Sequence, residues 1–252
     1  MAFDLWREAR LLAAAAQFLT RLPVPSVVFE PDWLPRSAKY FPLVGLAVGC
    51  LAAAMLWAAG QIWPQPIPAI LAVAATILLT GALHEDGLAD AADSLGGRTR
   101  ERRLAIMKDS GIGVFGALAL ALALLLRVAA LATMPLGLAA AALVAAGAGG
   151  RWMPVAVMAS TRYAGDTAAS RVIRPDGGPR AREAAIALIP AAAVMLLLAP
   201  GQAFAGLLLG GGLAGIVTWR LCRALAGHTG DVLGAGIVLF EVGFLLGVAA
   251  GT

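Results

Sequence analysis

Residues 67–93 read IPAILAVAATILLTGALHEDGLADAAD. The first part, 67–83, is almost wholly apolar and approaches the roughly 20 residues that a membrane-spanning helix needs. The second part changes character: His84 and Glu85 lead into Asp86, Asp90 and Asp93, spaced at i, i+4 and i+7. On a helix the latter two lie about 40° and −20° from the first, so the three carboxylates share one stripe. Like charges on one stripe repel unless a cation sits among them. Hard divalent ions such as Mg²⁺ take oxygen ligands, often one or two carboxylates plus phosphate oxygens. An acidic stripe at the mouth of an apolar run therefore points to Mg²⁺-dependent phosphate chemistry at a membrane surface, with Asp86, Asp90 and Asp93 as metal ligands. Gly87, between them, removes a side chain and permits close approach of a ligand or another backbone.

The rest of the chain supports a membrane setting. Of its 252 residues, 60% are hydrophobic and 13% charged, with a mean hydropathy of +0.84; a soluble domain carries about 25% charged residues. The expected fold is all-α, a polytopic membrane helix bundle forming a single integral domain over 1–252. Segment 1–40 is its interfacial N-terminal part and 41–252 the bundle. About seven spans are expected by length, at 41–60, 67–83, 113–133, 136–158, 184–199, 203–218 and 232–250. Gly45-x-x-x-Gly49 and Gly206-x-x-x-Gly210 have the spacing that lets membrane helices pack closely. Segment 1–22 mixes charges with Leu5, Trp6, Leu11, Leu12, Phe18 and Leu19 and reads as a surface helix ended by Pro23 and Pro25. No cleavable signal peptide is expected, and Cys50 and Cys222 read as inert thiols.

Charge sets the expected topology. Segments 1–40, 84–112, 159–183 and 219–231 hold every Lys and Arg except Arg127 and Arg151. The positive-inside rule puts all four in the cytoplasm. The net charge of +4 is spread over these loops, so the expected partners are the bilayer and small-molecule substrates, not nucleic acid; a homo-oligomer stays open.

Further candidates lie in the same segments. His84 is a candidate to orient a carboxylate or touch phosphate. Arg98, Arg100, Arg102 and Arg103 suit anionic lipid heads. Lys108, Asp109 and Ser110, followed by Gly-Ile-Gly, set a cation, a carboxylate and a hydroxyl before a span whose N-terminus can hold phosphate. Arg151, inside a span, needs a partner, either a substrate phosphate or an aspartate; Arg162 follows it, with Arg171, Arg174, Arg180 and Arg182 beyond. Arg127 is expected to snorkel to the outer face. Asp231 opens the last span, as a metal ligand, a base or a helix cap. Glu241, about 15 Å deeper by helical rise, is costly unless paired.

Five blocks fall in the order of a known family: Phe18-Leu-Thr-Arg-Leu-Pro-Val-Pro25, Phe41-Pro-Leu-Val-Gly45, His84-Glu-Asp86-Gly-Leu-Ala-Asp90-Ala-Ala-Asp93, Ile106-Met-Lys-Asp-Ser-Gly-Ile-Gly113 and Thr229-Gly-Asp-Val-Leu-Gly-Ala235. Over nearly its whole length the chain resembles cobalamin 5′-phosphate synthases, the adenosylcobinamide-GDP ribazoletransferases. It departs at Val238, where the family motif carries Glu, and at Ser94-Leu95, where a Gly is usual. The resemblance implies a multi-pass inner-membrane enzyme, Mg²⁺-dependent and facing the cytoplasm. It would join adenosylcobinamide-GDP to α-ribazole 5′-phosphate, or to α-ribazole, and release GMP. In that reaction Asp86, Asp90 and Asp93 would hold metal and Asp109 or Asp231 would act as base, while Lys108, Ser110, Arg151 and Arg162 would bind substrate with His84. Two rivals share the acidic helix: a CDP-alcohol-type phosphotransferase, whose motif would carry Arg where Asp90 stands, and a cation transporter, which would carry acids deep in facing helices.

Overall fold

The structure is a computed structural model that describes residues 5–25, 33–165, 178–179 and 181–251. Arg171, Arg174 and Arg180 lie outside these residues. The helices are α1 (Leu5–Leu19), α2 (Trp33–Ser37), α3 (Phe41–Gly60), α4 (Ile67–Thr80), α5 (Leu83–Asp93), α6 (Arg100–Met107), α7 (Val114–Thr133), α8 (Leu136–Ser160), α9 (Ala181–Ala193), α10 (Pro200–Leu225) and α11 (Gly230–Ala249). The architecture is an all-α membrane bundle, as the apolar composition requires. In lipid only structures that satisfy their own backbone groups are stable, and helices do so within each segment.

Glycine decides how closely the long helices approach. α3 crosses α8 at Gly45 and Gly49. A Cβ on Gly45 would collide with the Gly147 carbonyl, and one on Gly49 would stand 2.8 Å from the Leu143 carbonyl oxygen. α10 meets α11 in the same way, with Gly206 and Gly210 against Phe244, and Gly243 against the backbone of Leu209 and Gly210. Both small-residue motifs are thus helix crossings. α11 lies at the centre of the bundle, its Phe244, Val238 and Val248 fully enclosed. α7 and α10 instead turn Leu118, Leu122, Leu125, Leu208, Ile216 and Trp219 outward, an apolar belt suited to acyl chains.

Among the described residues, five helices, counting the continuous Trp33–Gly60 stretch as one, are long and apolar enough to cross a membrane. A sixth span arises if α4 and its continuation count together, although the two are bent 90° to one another. The expected run 67–83 therefore ends early. Gly81 and Ala82 both adopt left-handed conformations, φ 65° and 58°, and two such residues in succession turn the chain out of the helix. Gly81 does so freely; Ala82 carries a Cβ penalty of roughly 1–2 kcal/mol. The expected span 184–199 is also shorter than anticipated. α9 carries Pro190 in its interior and gives way to a 3₁₀ turn at Val194–Leu197, because proline removes one helical hydrogen bond and crowds the preceding turn. At the N-terminus, α1 exposes Leu5 and Trp6 and buries Ala14, Ala15 and Leu19, the two-faced arrangement expected of a surface helix.

Candidate active site

The 90° corner after α4 packs α5 against α11 and α7. Gly87 makes the contact with α11. A Cβ there would stand 3.0 Å from the Asp231 carbonyl oxygen and 3.2 Å from Gly234 Cα. Backbone atoms cannot give way, so Gly87→Ala must lift α5 off α11. The shift needed is a few tenths of an ångström, and a misplacement of about 1 Å costs about 10²-fold in rate where geometry governs the chemistry, so the folded Gly87→Ala protein is expected to lose turnover by less than that factor.

Gly87 packing brings four carboxylates together from two helices. Asp86 is exposed, while Asp90, Asp93 and Asp231 are half-buried. Asp231 lies in the first turn of α11, whose N-cap Thr229 accepts a hydrogen bond from the Val232 N–H at 3.3 Å. Burial, then the charges of Asp231, Asp86 and Asp93, push the Asp90 carboxyl up to about 6. Among the described residues, the ion pairs fall elsewhere and none reaches Asp86, Asp90 or Asp231. The cluster is an uncompensated negative field.

Asp93 has a further role. Its carboxylate accepts the Gly113 N–H at 2.7 Å and the Gly116 N–H at 2.8 Å, and so caps the N-terminus of α7. Anionic groups at that position are favoured by the exposed N–H groups and the helix dipole. Asp93→Ala is expected to lower the stability of the purified protein by about 1–2 kcal/mol, read from its denaturation midpoint without added metal.

The loop after α6 runs beside this cap. Lys108, Asp109 and Ser110 are all exposed, and Asp109 accepts the Gly111 N–H at 3.2 Å. A third strand of chain completes the rim. The His228 N–H donates to the Arg162 carbonyl at 2.8 Å, and the Ala164 N–H donates to the His228 carbonyl at 2.8 Å. This clips the segment after α8 to the turn before α11 and leaves Arg162 exposed. His228 itself is enclosed, with Nδ1 2.8 Å from Thr161 Oγ1, and burial lowers its pKa to about 4. Arg100 is a strut here: its Nε donates to the Leu225 carbonyl at 2.7 Å and a terminal nitrogen to the Ala164 carbonyl at 2.9 Å.

Two expected site residues lie apart from the acids. Arg151 is buried beneath the surface, where it hydrogen-bonds Glu241; that carboxylate, rather than a substrate phosphate or an aspartate, is the partner its burial demanded. His84 is also buried, on the inner side of α5, with Nε2 lacking a hydrogen-bond partner and within electrostatic reach of Arg151 and Arg127. Arg127 does not snorkel outward. It is 3% exposed and joins two carboxylates, Glu85 at 2.9 Å and Glu241 at 3.2 Å. Sequence reasoning missed this pairing, although one signal was present: Arg127, Arg151 and Glu241 each stand within a long apolar run, and a charge there needs a partner.

Mg²⁺ can be tested against the residues present. Among the described residues no three His, Cys, Asp or Glu side chains are poised together as a finished metal cage. Mg²⁺ does not require one: it usually keeps waters and takes one or two carboxylates together with substrate phosphates. An all-oxygen donor set, left without a cationic partner and with one carboxyl forced towards protonation, fits such an ion.

Fold and site together define a polytopic all-α membrane protein with a cluster of acidic side chains where α5 meets α11. The chain belongs to the cobalamin-5-phosphate synthase family, whose model matches residues 11–249. It is 40% identical to an adenosylcobinamide-GDP ribazoletransferase of Leptothrix cholodnii over 97% of this chain and 96% of the relative. Its identity to the protein of that name from Ralstonia nicotianae is 44%, over 94% and 93% of the two chains. For the one from Azorhizobium caulinodans it is 41%, over 96% and 97%. No solved structure matches the chain.

Proposed function

We propose that this protein joins adenosylcobinamide-GDP to α-ribazole 5′-phosphate, or to α-ribazole, with release of GMP, and does so at the acidic cluster between α5 and α11. Family membership over residues 11–249 carries the reaction. The unpaired carboxylates of Asp86, Asp90 and Asp231 support its location.

The transfer needs positioning and neutralised charge more than covalent assistance. Asp86 and Asp90 would hold Mg²⁺, with Asp93 fixing their helix and Asp231 closing the far side. Bound Mg²⁺ supplies Lewis-acid polarisation of the diphosphate. Asp231 or Asp109 accepts the proton of the attacking ribose hydroxyl. Lys108 and Arg162, both exposed, neutralise phosphate oxygens, and Ser110 donates a hydrogen bond to one. All these groups come from segments 84–112, 159–183 and 219–231, the basic ones that the positive-inside rule assigns to the cytoplasm, which supports an inner-membrane enzyme working on its cytoplasmic face.

Purified protein in lipid nanodiscs, given adenosylcobinamide-GDP and α-ribazole 5′-phosphate, should release GMP with Mg²⁺ and not in excess chelator. Release unaffected by chelator would remove the metal from the reading; no release under any divalent ion would remove the reaction.

Metal-free protein offers a second check. Asp90 has a folded-state pKa of about 6, above the usual carboxylate value. Its contribution to stability is fully present below the unfolded value and is lost as pH rises through the folded one. Burial of His228, which lowers its pKa to about 4, acts the other way over much of this range, so the check is a difference: in chelator the parent's denaturation midpoint should fall relative to that of Asp90→Asn between about pH 4 and pH 7, and Mg²⁺ should reverse that relative fall at pH 7.

A further inference from the structure

The acid-bearing helices α5 and α11 are tied beneath the surface by one side chain. Arg127, from α7, bonds Glu85 of α5 with one terminal nitrogen and Glu241 of α11 with the other, at 2.9 Å and 3.2 Å. Glu85 precedes Asp86 in sequence, and Glu241 lies on the same helix as Asp231. A fourth member, Arg151 of α8, shares Glu241. The group holds two positive and two negative charges and is almost wholly enclosed. Apolar residues of the same volume would serve stability as well or better, because each ion loses its hydration on burial. Packing strength does not account for it.

Geometry does. α5 is fastened to α7 at both ends: Glu85 in its first turn to Arg127, and Asp93 in its last to the N-terminus of α7. Between these points lie Asp86 and Asp90; α5 meets α11 closely there at Gly87, against Asp231 and Gly234, and meets α7 through the Ala89 carbonyl against Gly116, and both are glycine contacts that allow sliding because the glycine has no side chain to interlock. A planar guanidinium fixes two carboxylates in direction as well as distance. We propose that Arg127 is a positioning residue for the reaction: through Glu85 and Glu241 it sets the register of α5 against α11 and hence the spacing of Asp86 and Asp90 from Asp231. This rests on the acidic cluster being the reacting site.

The decisive variant removes the tie without stranding a charge. Glu85→Leu combined with Arg127→Met leaves the Arg151–Glu241 pair in place. In nanodiscs with chelator, amide hydrogen exchange of residues 83–93 should quicken while that of α11 stays as in the parent protein. With substrates, half-saturating Mg²⁺ should rise about tenfold, the lower end of what loss of a ligand-orienting contact costs. The KM for adenosylcobinamide-GDP at saturating Mg²⁺ should be unchanged. Arg127→Lys, which keeps the charge but not the fork, should fall between. If the double variant does not fold, Glu85→Gln, which keeps the shape and one acceptor, should shift both readouts the same way by less. Parent-like exchange in 83–93, or a change in KM alone, overturns the proposal. Mg²⁺-independent transfer by the parent protein overturns the site reading instead, and leaves the exchange result to judge the tie.

Discussion

Asp90→Ala should lower GMP release by about a thousandfold while leaving the metal-free protein as stable as the parent or more so. The two effects have opposite signs for one reason. Asp90 sits in the middle of the acidic group, half-buried, facing Asp86, Asp93 and Asp231, and its carboxyl is held up to about 6 by burial and by those charges. Without a cation its ionised form is repelled, so removing it relieves the fold. With a cation the same carboxylate is the most central of the acids and is less hydrated than Asp86, so removing it costs the reaction most. A thousandfold loss corresponds to about 4 kcal/mol of transition-state stabilisation at 1.36 kcal/mol per tenfold, within reach of a single charged group in a partly desolvated site. The measurements are GMP release at saturating Mg²⁺ and the denaturation midpoint in chelator. Asp90→Asn should behave alike, since the amide keeps the shape and loses the charge. A metal-free midpoint that drops alongside the activity would mean that Asp90 supports the fold rather than the chemistry.

The acidic stripe was legible because spacing alone put its three carboxylates on one side of α5, and its neighbourhood was legible because Gly87 advertised a close approach. Asp231, in the first turn of α11, was named among the candidate acids from its place at a span entry, but not as the contact of Gly87. Asp231 lies 145 positions from Asp86 by the numbering, and no local pattern encodes which distant helix fills a gap left by a glycine. The corner before α5 was hidden for a different reason. Residues 67–83 remain apolar through Gly81 and Ala82, so hydropathy runs on where the backbone turns, and alanine is a residue that rarely adopts a left-handed conformation. At 184–199 hydropathy again outlasts the helix, which Pro190 and the 3₁₀ turn cut short. Asp93 could be placed on the stripe but not recognised as the cap of α7, because the capping acid comes from outside the helix it caps, 20 residues before Gly113. Arg127 was misread because depth was judged from its distance to the end of its own span. A long side chain reaches in either direction, and only the position of Glu85 and Glu241 decides which.

Arg127→Met alone should be among the most damaging single changes to the fold. It strands two carboxylates that share its guanidinium. Glu241 retains Arg151, but Glu85 keeps none, and its second oxygen is already buried without a hydrogen-bond partner. Removing one member of a buried ion pair costs about 3–5 kcal/mol, which for a chain of this size lowers the midpoint of thermal unfolding by roughly 10 °C. Glu85→Leu added to Arg127→Met should return most of that loss, because no unpaired charge is then enclosed, and the coupling between the two changes should be of order 1–3 kcal/mol, as for residues in one ion-pair network. Arg151→Met should cost less than Arg127→Met, since Glu241 keeps Arg127. The ranking is as informative as the magnitudes: it follows from which arginine is shared between two acids and which serves only one. Equal losses from the two arginines would show that the charges are balanced by solvent and lipid rather than by one another. Recovery of stability in the double variant without recovery of its metal response would separate the cost of burying charge from its use in holding two helices in register.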